Sequence, residues 1–215
     1  MRRDVLYRAA PFAIFIAFVA AQSISASAWP LGWAVRDLVV TLVVLGFLGF
    51  YTELRNAPRA TPAQWGASVA AGVAVFVAWI CLDQPWNSFP LHGGFDPAQA
   101  PQGLAAPLVA LRLFALVVTV PLMEELFWRS FLLRWIDSRN FLAADPGSAS
   151  PRAMFLVVAL FGAEHSQWLA GLLAGAAYTA IYVRTRNILL TTLSHAITNA
   201  LLGTWILSCG NWRFW

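Results

Sequence analysis

Glu124, Glu125 and Arg129, then Phe161 and His165, then His195 and Asn199 hold most of the polar chemistry of the apolar stretches around them. Carboxylates and imidazoles are costly to keep in lipid. Ionisable residues there face a bundle interior or a wet cavity and are functional candidates by default. Two carboxylates, two imidazoles and an amide are the groups that amide hydrolysis uses. That reaction needs a base for water, donors for an oxyanion and an acid for the leaving amine. Glu125 and Arg129 are four apart, so on a helix they share a face and can pair, while Glu124 is turned about 100° away. His195 and Asn199 share a face by the same spacing, as do Phe161 and His165.

The elements that must carry these residues are membrane helices. The chain is 60% hydrophobic and 11% charged, with a mean hydropathy of +0.66. A soluble domain carries roughly 25% charged residues. The deficit runs the whole length of 215 residues, which predicts an all-α, polytopic membrane protein of about seven to eight transmembrane helices. Apolar runs fall at 11–28, 35–51, 65–82, 104–136, 153–168, 169–183 and 188–207. The longest contains Pro121, a natural kink or break. Residues 1–103 read as N-terminal membrane helices with an outer loop at about 83–103, where His92 is a solvated residue. Residues 104–215 read as the core, and the two together as one integrated membrane domain.

All fourteen basic residues are arginine, a composition suggestive of a GC-rich bacterial gene. They gather at helix ends, so the net charge of +4 implies no nucleic acid. Their distribution predicts a multi-pass protein of the bacterial inner membrane, its amino end cytoplasmic and its carboxyl end outside. Residues 1–8 are expected to stay in the cytoplasm. Ala26-Ser27-Ala28 resembles a signal-peptidase site, but an uncleaved first span is the favoured reading. Cys81 and Cys209 fall near outer helix ends, where a disulfide could form. Gly171 and Gly175 have the small-xxx-small spacing of close helix packing. Measured from the arginine-rich helix ends at ~1.5 Å per residue, Glu124 and His165 lie roughly 18 Å deep and His195 roughly 12 Å. The three motifs thus share one layer.

Glu-Glu-x-x-x-Arg (124–129), Phe-x-x-x-His (161–165) and His-x-x-x-Asn (195–199) resemble, in order and spacing, the three motifs of the CAAX-protease and bacteriocin-processing (CPBP, Abi) intramembrane proteases. The resemblance covers about residues 104–207. EELFWRSFLLRW and the ending GNWRFW also look similar to a bacterial branch found beside exosortase protein-sorting systems. The resemblance implies helices around a conical intramembrane cavity, and cleavage near the carboxyl end of a membrane-associated protein or peptide. It implies Glu124 as catalytic carboxylate, with His165 and His195 acting on water and intermediate and Asn199 on the oxyanion.

Read from the residues, Glu124 helped by His165 deprotonates water, and His195 and Asn199 donate to the oxyanion. Glu125 and Arg129 form a supporting ion pair, and Phe161 walls the site. Glu164 reads as a cavity-edge or interface residue. No cofactor is needed. The competing chemistry is zinc held by Glu124, His165 and His195 with Glu125 as base, although HExxH is absent. Two readings from other classes are a proton-coupled carrier, which predicts repeats that the sequence lacks, and a non-catalytic immunity or scaffold protein.

Overall fold

The computed structural model describes residues 2–25, 31–89 and 96–214. Its helices are α1 (Arg2–Ser25), α2 (Gly32–Phe47), the short α3 (Thr52–Arg55), α4 (Pro62–Cys81), α5 (Ala105–Asp137), α6 (Pro151–Glu164), α7 (Trp168–Thr185) and α8 (Ile188–Cys209). No strand occurs among the described residues. α1, α2, α4 and α5 are each long and apolar enough to cross a membrane. Leu38, Leu42 and Leu45 on α2, and Val69, Val73 and Val77 on α4, are exposed at helical spacing. Such outward apolar stripes are what lipid covers. The chain is an all-α polytopic membrane protein.

α8 lies along α4 and α7 and touches α5. Small residues set the distances. A Cβ on Gly72 of α4 would stand 2.5 Å from the Ser194 carbonyl oxygen and 2.9 Å from Ile197 Cβ, so only hydrogen fits there. α6 and α7 form a hairpin whose crossing rests on Gly162 and Gly171. A Cβ on Gly171 would meet Gly162 Cα and His165 Cβ, both at 3.1 Å. Close approach through small residues is the usual way helices associate in lipid, where burial of apolar surface gives no drive.

α5 runs unbroken past Pro121. It is α-helical over Ala105–Phe114, widens to a π-helix over Ala115–Thr119, returns to α over Val120–Glu125 and widens again over Leu126–Leu133. In α geometry the proline ring would collide with the carbonyl four residues back. The wider π turn before Pro121 relieves that clash without a break. π segments are rare and concentrate at functional sites. Here they flank Glu124 and Glu125.

Two expectations need correction. α1 begins at Arg2, not near residue 11, and Arg8 is fully buried. Its guanidinium is held by Glu53, with Nε at 2.7 Å and Nη2 in a second contact, so the helix can carry a charge inward. α6 stops at Glu164, which leaves His165 in extended conformation at its end. Cys81 and Cys209 are free, exposed thiols. Ala26-Ser27-Ala28 and His92 lie outside the described residues. The described part of the 83–103 loop bonds the α6–α7 junction: Phe89 N–H donates to the Ser166 carbonyl at 2.8 Å, and Gln167 Nε2 to Asp83 Oδ1 at 3.0 Å.

Candidate active site

Glu125 is the centre of a buried polar cluster. One of its oxygens, Oε1, accepts from Arg129 Nη1 at 2.9 Å along α5 and faces His195 Nδ1 of α8 at 3.0 Å. Glu125 and Arg129 are wholly buried. Arg129 Nη2 donates to the Gly175 carbonyl of α7 at 3.2 Å. Its guanidinium also lies over the Phe161 ring of α6 at 4.3 Å. One arginine therefore ties three helices. The charges offset each other, as a buried pair must if it is not to cost several kcal/mol per ion. The Gly171/Gly175 spacing serves packing as expected, and Gly175 adds a carbonyl to the cluster.

His165 and His195 both approach Phe161, at ring distances of 4.6 and 6.1 Å. His165 Nδ1 is 2.7 Å from the Phe161 carbonyl oxygen. A carbonyl only accepts, so Nδ1 carries the proton and a neutral His165 presents Nε2 as an acceptor. The same holds at His195 against an ionised Glu125. His195 then becomes a donor at Nε2 only as imidazolium, a requirement the sequence did not reveal.

Glu124 lies beside this cluster, buried, with Oε2 cut off from solvent and without a hydrogen-bond partner. It interacts electrostatically with Glu125, Arg129 and Glu164. A buried carboxylate oxygen left unpaired is costly and calls for a ligand, a water or a proton. Asn199 is not joined to the cluster by a hydrogen bond. Its Nδ2 donates to the Leu116 carbonyl at 2.9 Å, inside the first π segment of α5. One amide hydrogen and the side-chain oxygen remain for other use.

One neighbour escaped the sequence reading. Tyr178 stacks on His195, with centroids at 4.9 Å and planes at 20°. Its hydroxyl donates to Thr198 Oγ1 at 2.7 Å, and Thr198 donates to the Gly72 carbonyl at 2.9 Å. A tyrosine in an apolar stripe gives no sequence signal for such a role. Glu164, read as a cavity-edge or interface residue, lies beside the Trp128 side chain and also interacts electrostatically with Glu125 and Arg129. Its adjacency to His165 was the available signal.

The zinc set requires three side chains to converge on one point at about 2 Å. Among the described residues no group of three or more His, Cys, Asp or Glu is arranged to hold a metal ion. His195 Nδ1 and His165 Nδ1 are already engaged, which leaves only the Nε2 atoms for any ligand.

No match was found to a curated protein or to a solved structure. Residues 106–201, a little under half of the chain, match the family model described as type II CAAX prenyl endopeptidase Rce1-like, and that stretch contains Glu124, Glu125, Arg129, Phe161, His165, His195 and Asn199.

Proposed function

We propose that the chain is an intramembrane endopeptidase that hydrolyses a peptide bond near the carboxyl end of a membrane-associated protein or peptide. The observation that carries this reading is the Glu125–His195 pair beside Phe161 and His165, with Glu124 in electrostatic reach of Glu125 and Arg129, within a stretch that matches an endopeptidase family. In this reading water is held against Glu124 and His165 Nε2. Glu124 takes a proton from the water as its oxygen bonds to the scissile carbonyl carbon. The carbonyl electron pair moves onto oxygen, where the second amide hydrogen of Asn199 and the Nε2 proton of imidazolium His195 donate. Glu124 returns the proton to the amine nitrogen as the C–N bond breaks.

Glu125 and Arg129 are positioning residues here. The carboxylate fixes the orientation of the His195 ring, and Arg129 pairs with that carboxylate. The matching family is one of CAAX prenyl endopeptidases. For this chain we propose, from the branch its sequence resembles, a substrate with a short carboxyl-terminal sorting signal. The amino end and the arginine-rich loops would lie on the cytoplasmic side of a bacterial inner membrane. The test is a map of protein carboxyl termini in cells carrying the native chain or Glu124→Gln. New termini are expected in the first and absent from the second. Identical maps would remove the endopeptidase reading.

A further inference from the structure

A second polar site lies at the arginine-rich end of the bundle, about ten residues along α5 from Glu124. It is a cavity of about 220 Å³ among α3, the 138–150 loop and the α7–α8 turn. Arg134, Arg186, Glu53, Tyr182, Leu142 and Ile188 are among its walls. At ~30 Å³ per water, it has room for roughly seven waters, or for a phosphate with the atoms that carry it.

The charges around it do not balance. Arg8 and Ser130 occupy the Glu53 carboxylate. Asp145 holds Arg186 through Nε at 2.7 Å and Nη2 at 3.0 Å, in a pair half open to solvent. Arg134 has no carboxylate partner among the described residues, yet it is 7% exposed. Its good hydrogen bond is Nε to the Ser130 carbonyl at 2.8 Å. Nη1 and Nη2 reach Ala144 O and Ser130 Oγ only at 3.4 and 3.5 Å, the weak limit of such bonds. Arg134 thus lines the cavity without a carboxylate on its guanidinium, which lies over the Phe141 ring at 5.6 Å. The amino end of α8 also reaches the cavity at Ile188, where Asn187 Oδ1 caps the Leu189 N–H at 2.9 Å and the positive end of the helix dipole adds a weaker attraction for an anion.

We propose that this cavity binds a phosphate group, with Arg134 as its buried anchor and Arg186 at its rim. A guanidinium fork matches phosphate geometry. The site lies where the apolar spans give way to polar loops, the depth at which lipid phosphates lie. The proposal is independent of the endopeptidase reading.

The test is thermal unfolding of the full chain in a neutral detergent, titrated with dihexanoyl phosphatidylglycerol, dihexanoylglycerol or inorganic phosphate against matched sodium chloride. The expected result is a saturable rise of several degrees with the phosphatidylglycerol and none with dihexanoylglycerol. A response to inorganic phosphate as well assigns recognition to the phosphate alone. A response to the lipid only assigns it to a headgroup. Arg134→Gln is expected to abolish the rise. Leu142→Trp, which fills the cavity without altering charge, is expected to do the same, and Arg186→Gln to raise the apparent Kd about tenfold. No saturable rise in the native chain would overturn the proposal. So would an undiminished rise in Leu142→Trp, or equal stabilisation by dihexanoylglycerol.

Discussion

The Glu125 carboxylate sets the state of its neighbours. Arg129→Ala leaves that carboxylate buried without its cation, and the loss of one member of a buried pair costs about 3–5 kcal/mol. Removing Glu125 together with Arg129 should recover part of that loss, and a double-mutant cycle by chemical denaturation reads the coupling. The Glu125–Arg129 pair was legible because four residues on a helix fix a shared face. The His195–Glu125 contact was not, because it joins residues seventy apart through the α5–α8 packing. The same holds for Asn199. Spacing placed it with His195, but the π turn exposes the Leu116 carbonyl and claims one of its amide hydrogens. His195→Asn should keep the fold and lose activity by about 100- to 1,000-fold if Nε2 serves the oxyanion. A KM unchanged beside a reduced kcat would locate the loss in the transition state.

Among the elements, the seven long helices and their order were legible from the apolar runs and the polar breaks between them, whereas the short α3 was read as loop. The departures have local causes. A 3.6-residue period cannot reveal the π segments of α5; the first of them relieves the clash of the Pro121 ring. The early end of α6 was equally hidden, since Glu164 and His165 carry no breaker signal; it falls beside the close α6–α7 crossing at Gly162 and Gly171. Close contact is also the basis for a test. Gly72→Ala drives a methyl into the Ser194 carbonyl and Ile197, so α4 must shift away from α8. The Thr198 bond to the Gly72 carbonyl, and with it the Tyr178 support of His195, should weaken. A drop of roughly 1–3 kcal/mol in stability is expected, as for overpacked cores, together with reduced activity. Gly66→Ala, on the same helix with nothing within 4 Å of the added methyl, should be neutral.

At the scale of the molecule, acid stability should depend on Glu53, which joins α1, α3 and α5. Burial works to raise its pKa, but the hydrogen bonds and charge of Arg8 and the hydrogen bond from Ser130 prevail and hold it below the usual 4.5. A carboxyl whose pKa is depressed by folding stabilises fully above its unfolded value, and that stabilisation fades as pH falls through its folded value. The melting temperature should therefore fall on acidification below about pH 4.5, and Glu53→Gln should flatten that limb. Chelators should leave activity intact, and elemental analysis of active protein should find no stoichiometric zinc; loss on chelation with recovery on zinc addition would replace glutamate by metal chemistry. The membrane character was written in composition, whereas the cavity at Arg134 depended on loops that no periodicity describes. The most direct measurement is the cleavage rate of the purified chain in vesicles, on a substrate found by terminus mapping, for the native protein and Glu124→Gln. A fall of about 100- to 10,000-fold with an unchanged melting temperature is predicted. A rate within a few-fold of native would contradict the account.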